Sequence, residues 1–202
     1  MTGDARTRAP SFRRELARKA IHLSSTAVPI ALALGVERRA ALLWLAALAL
    51  IAMAVEAARA ASSSIGARFD AIFRPLLRSH ERTGVTGATW LVGAMFLAVL
   101  VLPRDVAIVA TWAAAVGDSA AALIGMRFGR MRSARDGKSV EGSAACLLAT
   151  LAGALLIARV GTGSALLAAV AATAGERLPW PHDDNVRIIT AVGVTMMIAM
   201  AP

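Results

Sequence analysis

The segment with the clearest chemical potential spans residues 117–143 and reads GDSAAALIGMRFGRMRSARDGKSVEGS. It begins in an apolar helix that carries one acid, Asp118, and continues into a basic loop from Arg127 to Lys138. An ionisable residue within a membrane-type helix is costly unless it faces a polar cavity or a partner. A basic, glycine-containing loop beside that acid suits a polyphosphate and its metal ion. The segment is therefore predicted to form a nucleotide site.

The polar residues of this segment have distinct predicted parts. Asp118 is the predicted ligand of Mg²⁺, a hard cation that prefers carboxylate and phosphate oxygens. Lys138 would act as a point charge on phosphate, and Glu141 would hold metal or orient Lys138. A Walker motif does not explain them, because its first glycine would fall at position 132, which is arginine. The predicted nucleotide-binding residues are Gly117, Asp118, Ala121, Gly125, Gly129, Lys138, Ser139, Glu141, Gly142 and Ser143.

Structural roles remain open for the same positions. The alternative role for Asp118 is that of a buried structural acid paired with an arginine. Gly125 and Gly129 form a GxxxG pattern, which is typical of close helix packing.

Further polar residues with predicted roles lie elsewhere in the chain, before and after this segment. His22, Lys19 and Glu15 are spaced three and four residues apart, so they share one helix face and are predicted to line a polar cavity. Asp184 and Asn185 form an oxygen-rich corner, suited to a second metal contact or to helix capping. The predicted catalytic residues are Asp118, Lys138, Glu141, Glu176, Asp184 and His22, and the other predicted polar positions are Glu15, Arg18, Lys19, Glu56, Arg59, Arg78, Glu81 and Asn185.

The composition indicates which elements position these residues. Of the 202 residues, 57% are hydrophobic and 17% are charged, which is more apolar and less charged than a soluble domain. We therefore expect an all-α, polytopic membrane helix bundle. The net charge of +9 does not indicate nucleic-acid binding, because the basic residues lie between apolar runs. Cys146 is the single cysteine, so no internal disulfide forms.

One domain, 1–202, is predicted, with a flexible basic cytoplasmic tail at 1–14 and about seven spans near bilayer length. An amphipathic interfacial helix is expected within Ser62–Thr83, and Trp180, between two prolines, is a predicted interfacial anchor. The predicted spans are His22–Val36, Ala40–Ala57, Gly87–Leu102, Val106–Ile124, Gly142–Ile157, Ser164–Ala174 and Ile188–Met200.

The basic residues predict an orientation. With seven spans, eighteen of the 22 Lys and Arg residues fall on one side of the membrane and four on the other. Because basic loops stay cytoplasmic, the N-terminus is predicted inside and the C-terminus outside, in the cell inner membrane. The polar residues above then share the cytoplasmic face.

Taken together, these residues resemble the CTP-dependent lipid kinases, a family that includes dolichol kinases, phytol kinases and fungal CTP-dependent diacylglycerol kinase. The similarity covers positions 15–185 as ordered blocks. The blocks are Glu15-x-x-Arg18-Lys19-x-x-His22; Glu56-x-x-Arg59; Arg78-x-x-Glu81 with Thr86-Gly87-Ala88; Gly117-Asp118-x-x-Ala121-x-x-x-Gly125-x-x-x-Gly129 with Lys138-Ser139-x-Glu141-Gly142-Ser143; and Glu176 with Asp184-Asn185.

The resemblance implies transfer of the γ-phosphate of CTP to a lipid alcohol in the bilayer. It implies Asp118 on Mg²⁺–CTP, with Asp184 as a second metal contact. Lys138 and nearby arginines would bind phosphates, and Glu141 would support the loop. Glu176, Asp184 or His22 would contact the substrate hydroxyl. The resemblance leaves the lipid unnamed among polyprenol, phytol, geranylgeraniol and diacylglycerol.

Two other functions remain open. A cytidylyltransferase resembling CDP-diacylglycerol synthase has a similar K-[ST]-x-E-G core and would release pyrophosphate. A small transporter would use its intramembrane acid to bind an ion, but it would need polar residues near the middle of the bilayer.

Overall fold

The computed structural model describes residues 12–134, 136–178 and 183–200. The fold is all-helical, with 81% of it in helix, which confirms the all-α part of the predicted fold class. Within those ranges β pairing is limited to an isolated bridge between Arg132 and Ser139. The predicted tail lies outside the described residues except for 12–14, which belong to the first helix, and the predicted anchor Trp180 lies outside them entirely.

The helices follow the apolar runs of the sequence. A 3₁₀ turn, Ser24–Thr26, joins the first two helices, a second, Ser79–Arg82, precedes the fifth, and a π turn, Ala113–Gly117, joins the sixth and seventh. The helices are α1 Phe12–Leu23, α2 Ala27–Ala33, α3 Arg38–Ala61, α4 Ser63–Phe73, α5 Gly87–Val101, α6 Arg104–Trp112, α7 Asp118–Phe128, α8 Val140–Leu156, α9 Thr162–Arg177 and α10 Asp184–Ala199.

Two helical stretches of the described chain are long and apolar enough to cross a membrane. They are α3, with a mean hydropathy of 2.2, and the continuous run from α6 through α7, with 1.6. The helices α5 and α8 are apolar but shorter. This length and composition support a membrane location only in part, and the seven spans stay a prediction.

The predicted first span, His22–Val36, is wrong as a single continuous α-helix. Its α-helix is interrupted at Ser24–Thr26 and α2 ends at Ala33. The three hydroxyl groups of this turn donate to the carbonyl oxygens three residues earlier, for example Thr26 Oγ1 to Leu23 O at 2.7 Å. Such local side-chain bonds compete with the regular helical pattern. Pro29, four residues after Ser25, also cannot donate a backbone hydrogen bond to Ser25 O, and both features fall at the interruption.

The core is built around α6 and the π turn. Val106, Val109, Ala110, Ala113 and Ala114 are fully buried there. Around this axis α8 lies between α7 and α9, α9 packs against α10, and α3 packs against α5. The small side chains allow the helices to approach closely, which suits the alanine-rich composition.

The two ends of the bundle differ in chemistry. At one end, arginines cover helix carbonyl groups: Arg38 donates to Leu100 O at 2.6 Å and Arg104 donates to Leu32 O at 3.1 Å. At the other, which we call the charged end, acidic and basic side chains from several helices meet. The end of α3 and the start of α5 lie there, together with the loop from α7 to α8 and the segment from α9 to α10.

Candidate functional site

The helices α7 and α8 approach closely at the charged end because glycines face each other. A Cβ atom added at Gly142 would lie 2.7 Å from Ala121 O and 3.2 Å from the Cα atom of Gly125. A side chain at this point would therefore push the two helices apart. Close helix packing, one of the two roles left open for Gly125, is thus supported by the structure, and the same packing forms one wall of a cavity.

The start of α8 is fixed by the predicted residues Ser139 and Glu141. Ser139 Oγ accepts a hydrogen bond from Gly142 N at 3.0 Å, which is a helix N-cap. Glu141 Oε1 accepts from the backbone N–H groups of Arg130, at 2.9 Å, and Met131. Both hydrogen bonds lower the pKa of Glu141, and the bond from Arg130 N has the larger effect. Glu141 therefore shapes the loop, and in the structure it does not contact Lys138.

A cavity of about 140 Å³ lies between this loop and three helices. Lys138, Ser139, Gly142 and Ser143 line it, so most of the predicted lysine–serine block faces one space. Its walls are Ala121, Ala122, Gly125, Met126, Arg132, Asp136, Gly137, Lys138, Ser139, Gly142, Ser143 and Glu176. Two predicted residues, Gly129 and Glu141, line a separate groove with Arg127, Phe128 and Arg130. The predicted residues Gly117 and Asp118 line neither space.

Lys138 is one of two basic residues that line the cavity, together with Arg132. Its Nζ atom donates to the main-chain oxygen of Glu176 and lies 2.9 Å from Glu176 Oε1 and 3.9 Å from Asp184 Oδ1. Glu176 is 6% exposed, and its second oxygen, Oε2, is buried without a hydrogen-bond partner among the residues that the structure describes. A buried carboxylate oxygen without a donor is unfavourable. The cavity thus offers a positive group to an anion and an unsatisfied oxygen to a donor or cation.

Asp118 lies beside α1 and not in the cavity wall. Lys19, which is 1% exposed, donates to Asp118 Oδ2, and His22 Nε2 lies 3.8 Å from the same oxygen. The same His22 nitrogen is 3.0 Å from Ala114 O in the π turn. Glu15, Lys19 and His22 are all buried, which confirms their predicted shared face. Asp118 is therefore a paired buried acid, although its partner is lysine and not the arginine of the open alternative.

The predicted magnesium ligands are not assembled into a protein-held site. In the part of the chain that the structure describes, no three His, Cys, Asp or Glu side chains converge. Asp118 is already paired with Lys19 and Asp184 with Arg187. Mg²⁺ in nucleotide sites is commonly held by one or two carboxylates plus the phosphates themselves. The free Glu176 Oε2 fits that arrangement, so the residues suit a metal that arrives with a polyphosphate.

The middle blocks of the sequence stabilise the start of α5. Glu56 Oε1 accepts from Thr86 N at 2.9 Å, and Glu81 Oε1 accepts from Gly87 N at 2.9 Å. Arg59 joins them by donating to Glu56 Oε2 and to the main-chain oxygen of Glu81. Two carboxylates at a helix N-terminus satisfy its free N–H groups and its dipole. These contacts give Glu56, Arg59 and Glu81 a structural role.

The corner before α10 combines capping with ion pairs. Asp183 Oδ1 accepts from Asn185 N at 3.0 Å and from Asn185 Nδ2 at 2.6 Å, so the cap comes from Asp183. Asp184 forms an ion pair with Arg187, and its Oδ2 atom lies 3.8 Å from an Arg78 nitrogen. The predicted residues Arg78, Asp184 and Asn185 therefore meet at the charged end.

The predicted residue Arg18 forms an ion pair with Glu15 on α1.

Sequence reasoning did not single out Arg132. Its guanidinium donates to Gly125 O at 2.7 Å and to Gly137 O at 3.1 Å, and it lines the same cavity as Lys138. The sequence feature that could have indicated the position of Arg132 is the Asp136–Gly137 pair, in which Gly137 has φ +68°. An Asp-Gly pair is typical of a tight turn, and such a turn folds Arg132 back toward Ser139.

Comparison with known proteins leaves the site to be interpreted from its own chemistry. No family model, no curated protein and no solved structure matches the chain.

Proposed function

We propose that the protein is an integral membrane enzyme that transfers the γ-phosphate of CTP to the hydroxyl group of a membrane lipid alcohol. The membrane part of the proposal is supported by the inverted polarity of α1. Its charged residues Glu15 and Lys19 face inward, whereas Leu16 and Ile21 are 46% and 58% exposed. On α3, Trp44 is 73% exposed. Surrounding lipid accounts for an apolar exterior of this kind.

The charge distribution supports the proposed orientation. Basic residues concentrate at the charged end, so this end lies at the cytoplasmic headgroup layer, with the N-terminus inside and the C-terminus outside. A water-soluble nucleotide would then reach the site from the cytoplasm, while the lipid hydroxyl would reach it from the bilayer.

The observation that carries the enzymatic proposal is the position of Lys138. Its ammonium group lies 2.9 Å from Glu176 Oε1, and Lys138 lines a cavity at the N-terminus of α8 together with Arg132 and Glu176. A helix N-terminus with a lysine and an arginine is a favourable environment for phosphate. The small volume suits phosphate groups, so the nucleoside would lie outside the cavity. The preference for CTP over ATP rests on the family resemblance.

The reaction would depend mainly on positioning and charge neutralisation. The alcohol oxygen attacks the γ-phosphorus atom and forms a bond to it. The bond between the γ-phosphorus atom and the oxygen that bridges it to the β-phosphate breaks, and CDP leaves. The proton of the hydroxyl group passes to a base, for which Glu176, Asp184 and His22 are the candidates. Magnesium, when bound with the nucleotide, would neutralise phosphate charge near Glu176. Asp118 would contact that metal only by exchanging its Lys19 partner.

The decisive experiment follows two labels. The purified protein in nanodiscs is incubated with Mg²⁺ and CTP labelled at the γ- or the α-phosphate. Polyprenol, phytol, geranylgeraniol and diacylglycerol are the acceptors, and γ-labelled ATP is the comparison. A kinase places only the γ-label on the lipid, whereas a cytidylyltransferase places the α-label there and releases pyrophosphate. Absence of Mg²⁺-dependent CTP binding would instead favour the transporter.

A matched pair of variants tests the site. Lys138→Met should lower turnover by about 10²-fold or more, the usual effect of removing one charge-stabilising donor. Arg39→Gln, an exposed change at the opposite end of the bundle, should leave turnover unchanged. Near-normal turnover of a folded Lys138→Met protein would exclude the proposed phosphate site.

A further inference from the structure

The outer side of the loop between α7 and α8 carries a surface that the proposed reaction does not use. We call it the outer patch and define it as Arg127, Phe128, Arg130 and Met131. Phe128 is 60% exposed and Met131 is 68% exposed, and both arginines are exposed beside them. Among the described residues, the two guanidinium groups form no hydrogen bond and no ion pair. Large apolar side chains and exposed cationic side chains thus occupy the same short stretch.

The outer patch is separate from the phosphate cavity. Arg127, Phe128 and Arg130 line an open groove of about 470 Å³ together with Gly129 and Glu141. None of these five residues lines the cavity of Lys138. Arg132, by contrast, is tied to Gly125 O and lines that cavity. The arginines of the loop are therefore divided between two sites.

The charge of the groove can be matched to a ligand class. Arg127 and Arg130 contribute two positive charges and Glu141 one negative charge, which leaves one net positive charge for the five lining residues. A phosphodiester carries one negative charge and accepts the forked hydrogen bonds of guanidinium groups. Exposed Phe and Met side chains beside the arginines suit the boundary between headgroups and acyl chains. The groove thus has the charge and the polarity of a lipid headgroup site.

We propose that the outer patch binds the headgroup of an anionic phospholipid of the surrounding bilayer. Arg127 and Arg130 contact its phosphodiester, while Phe128 and Met131 lie among the upper parts of the acyl chains. This inference rests on the membrane part of the proposed function and is independent of the nucleotide chemistry. It assigns these two arginines to lipid and leaves Arg132 and Lys138 for the nucleotide.

The test compares two double variants with the same loss of charge. Arg127→Gln/Arg130→Gln changes the outer patch, and Arg39→Gln/Arg159→Gln changes two exposed arginines at the opposite end, one in the first turn of α3 and one in the loop after α8. Native mass spectrometry in neutral detergent measures dissociation constants for phosphatidylglycerol and phosphatidylcholine, and calorimetry measures CTP binding. Each basic residue near an anionic lipid contributes about a fivefold change in affinity, so the outer-patch variant should bind phosphatidylglycerol about thirtyfold more weakly.

The control variant should retain wild-type phosphatidylglycerol affinity, and phosphatidylcholine binding should not change in either protein. Unchanged phosphatidylglycerol affinity in the outer-patch variant would overturn the proposal. So would a parallel loss of CTP affinity, because the two arginines would then serve the nucleotide. Wild-type protein without a preference for phosphatidylglycerol over phosphatidylcholine would overturn it without any variant. A wild type that binds no CTP but shows the predicted lipid effects would contradict only the nucleotide chemistry.

Discussion

Replacing Asp118 by asparagine tests whether its first role is electrostatic support of α1. The Lys19 side chain is 1% exposed and its ammonium group donates to Asp118, so the substitution leaves a buried cation without a counter-charge. Breaking a buried ion pair by removing one partner costs about 3–5 kcal/mol. Because whole domains are stable by only about 5–15 kcal/mol, Asp118→Asn should remove a large part of the free energy of unfolding.

The assay is chemical unfolding in mixed micelles, followed by circular dichroism. Ser119→Ala is the matched control. Ser119 is also buried next to the site, but its hydroxyl group only donates to Ala115 O, so its loss should cost about 1 kcal/mol. The double variant Lys19→Met/Asp118→Leu replaces both charges by apolar groups. It should recover most of the lost stability, because such replacements are commonly neutral.

Two results would refute this reasoning. One is Asp118→Asn unfolding with the free energy of the wild type, and the other is a double variant no more stable than the single one. The double variant also separates structure from chemistry. If it is folded and still transfers phosphate, Asp118 has no part in binding the nucleotide.

Three smaller predictions concern the loop and α1. Gly142→Ala should destabilise the protein by about 1–3 kcal/mol through overpacking against α7. Gly93→Ala, with open space around its Cβ position, should be neutral or stabilising. Thermal unfolding measures both variants, and equal effects would contradict the close contact between α7 and α8. Ser139→Ala should lower the free energy of unfolding by about 1 kcal/mol, because the N-cap of α8 is lost. Ser139→Asp should restore the cap, and the same thermal unfolding assay measures both variants. Partial burial alone would raise the pKa of Glu15, but the hydrogen bond and charge of Arg18 outweigh it and hold the pKa below 4.5. A lowered folded-state pKa stabilises the protein above the unfolded value, and this contribution disappears as pH falls through the folded value. Wild-type protein should therefore lose more stability than Glu15→Gln as pH falls below about 5, and parallel pH curves would exclude the Glu15–Arg18 contribution.

The sequence was sufficient for the parts of the fold that depend on periodicity. The spacing of Glu15, Lys19 and His22 predicts one helix face, and all three are buried on α1. The apolar runs predict the later helices, because helices without internal breaks follow the hydrophobic pattern closely. The interruption at Ser24–Thr26 was not predicted, although Pro29 lies four residues after Ser25 and cannot donate to its carbonyl oxygen, and the hydroxyl groups of the turn bond locally.

The site was predictable as a set of residues but not as a set of contacts. Lys138 and Glu176 are 38 residues apart, and only the packing of α8 on α9 brings them together. Asp118 and Lys19 are 99 residues apart, and nothing in their local sequence indicates their pairing. Charge type is visible in a sequence, whereas the choice of partner depends on helix packing at the charged end.

The π turn at Ala113–Gly117 changes the direction in which the side chains of α7 point around the helix axis, relative to those of α6. An α-helix advances by about 100° per residue, so one additional residue in a turn rotates everything beyond it by that angle. The fully buried Val106 and Val109 can therefore keep their packing while the Asp118 carboxylate points toward Lys19. We expect the number of residues in this alanine run to be more constrained than their identity. Deleting one of them would turn the acid away from α1 without changing any charged residue of the chain.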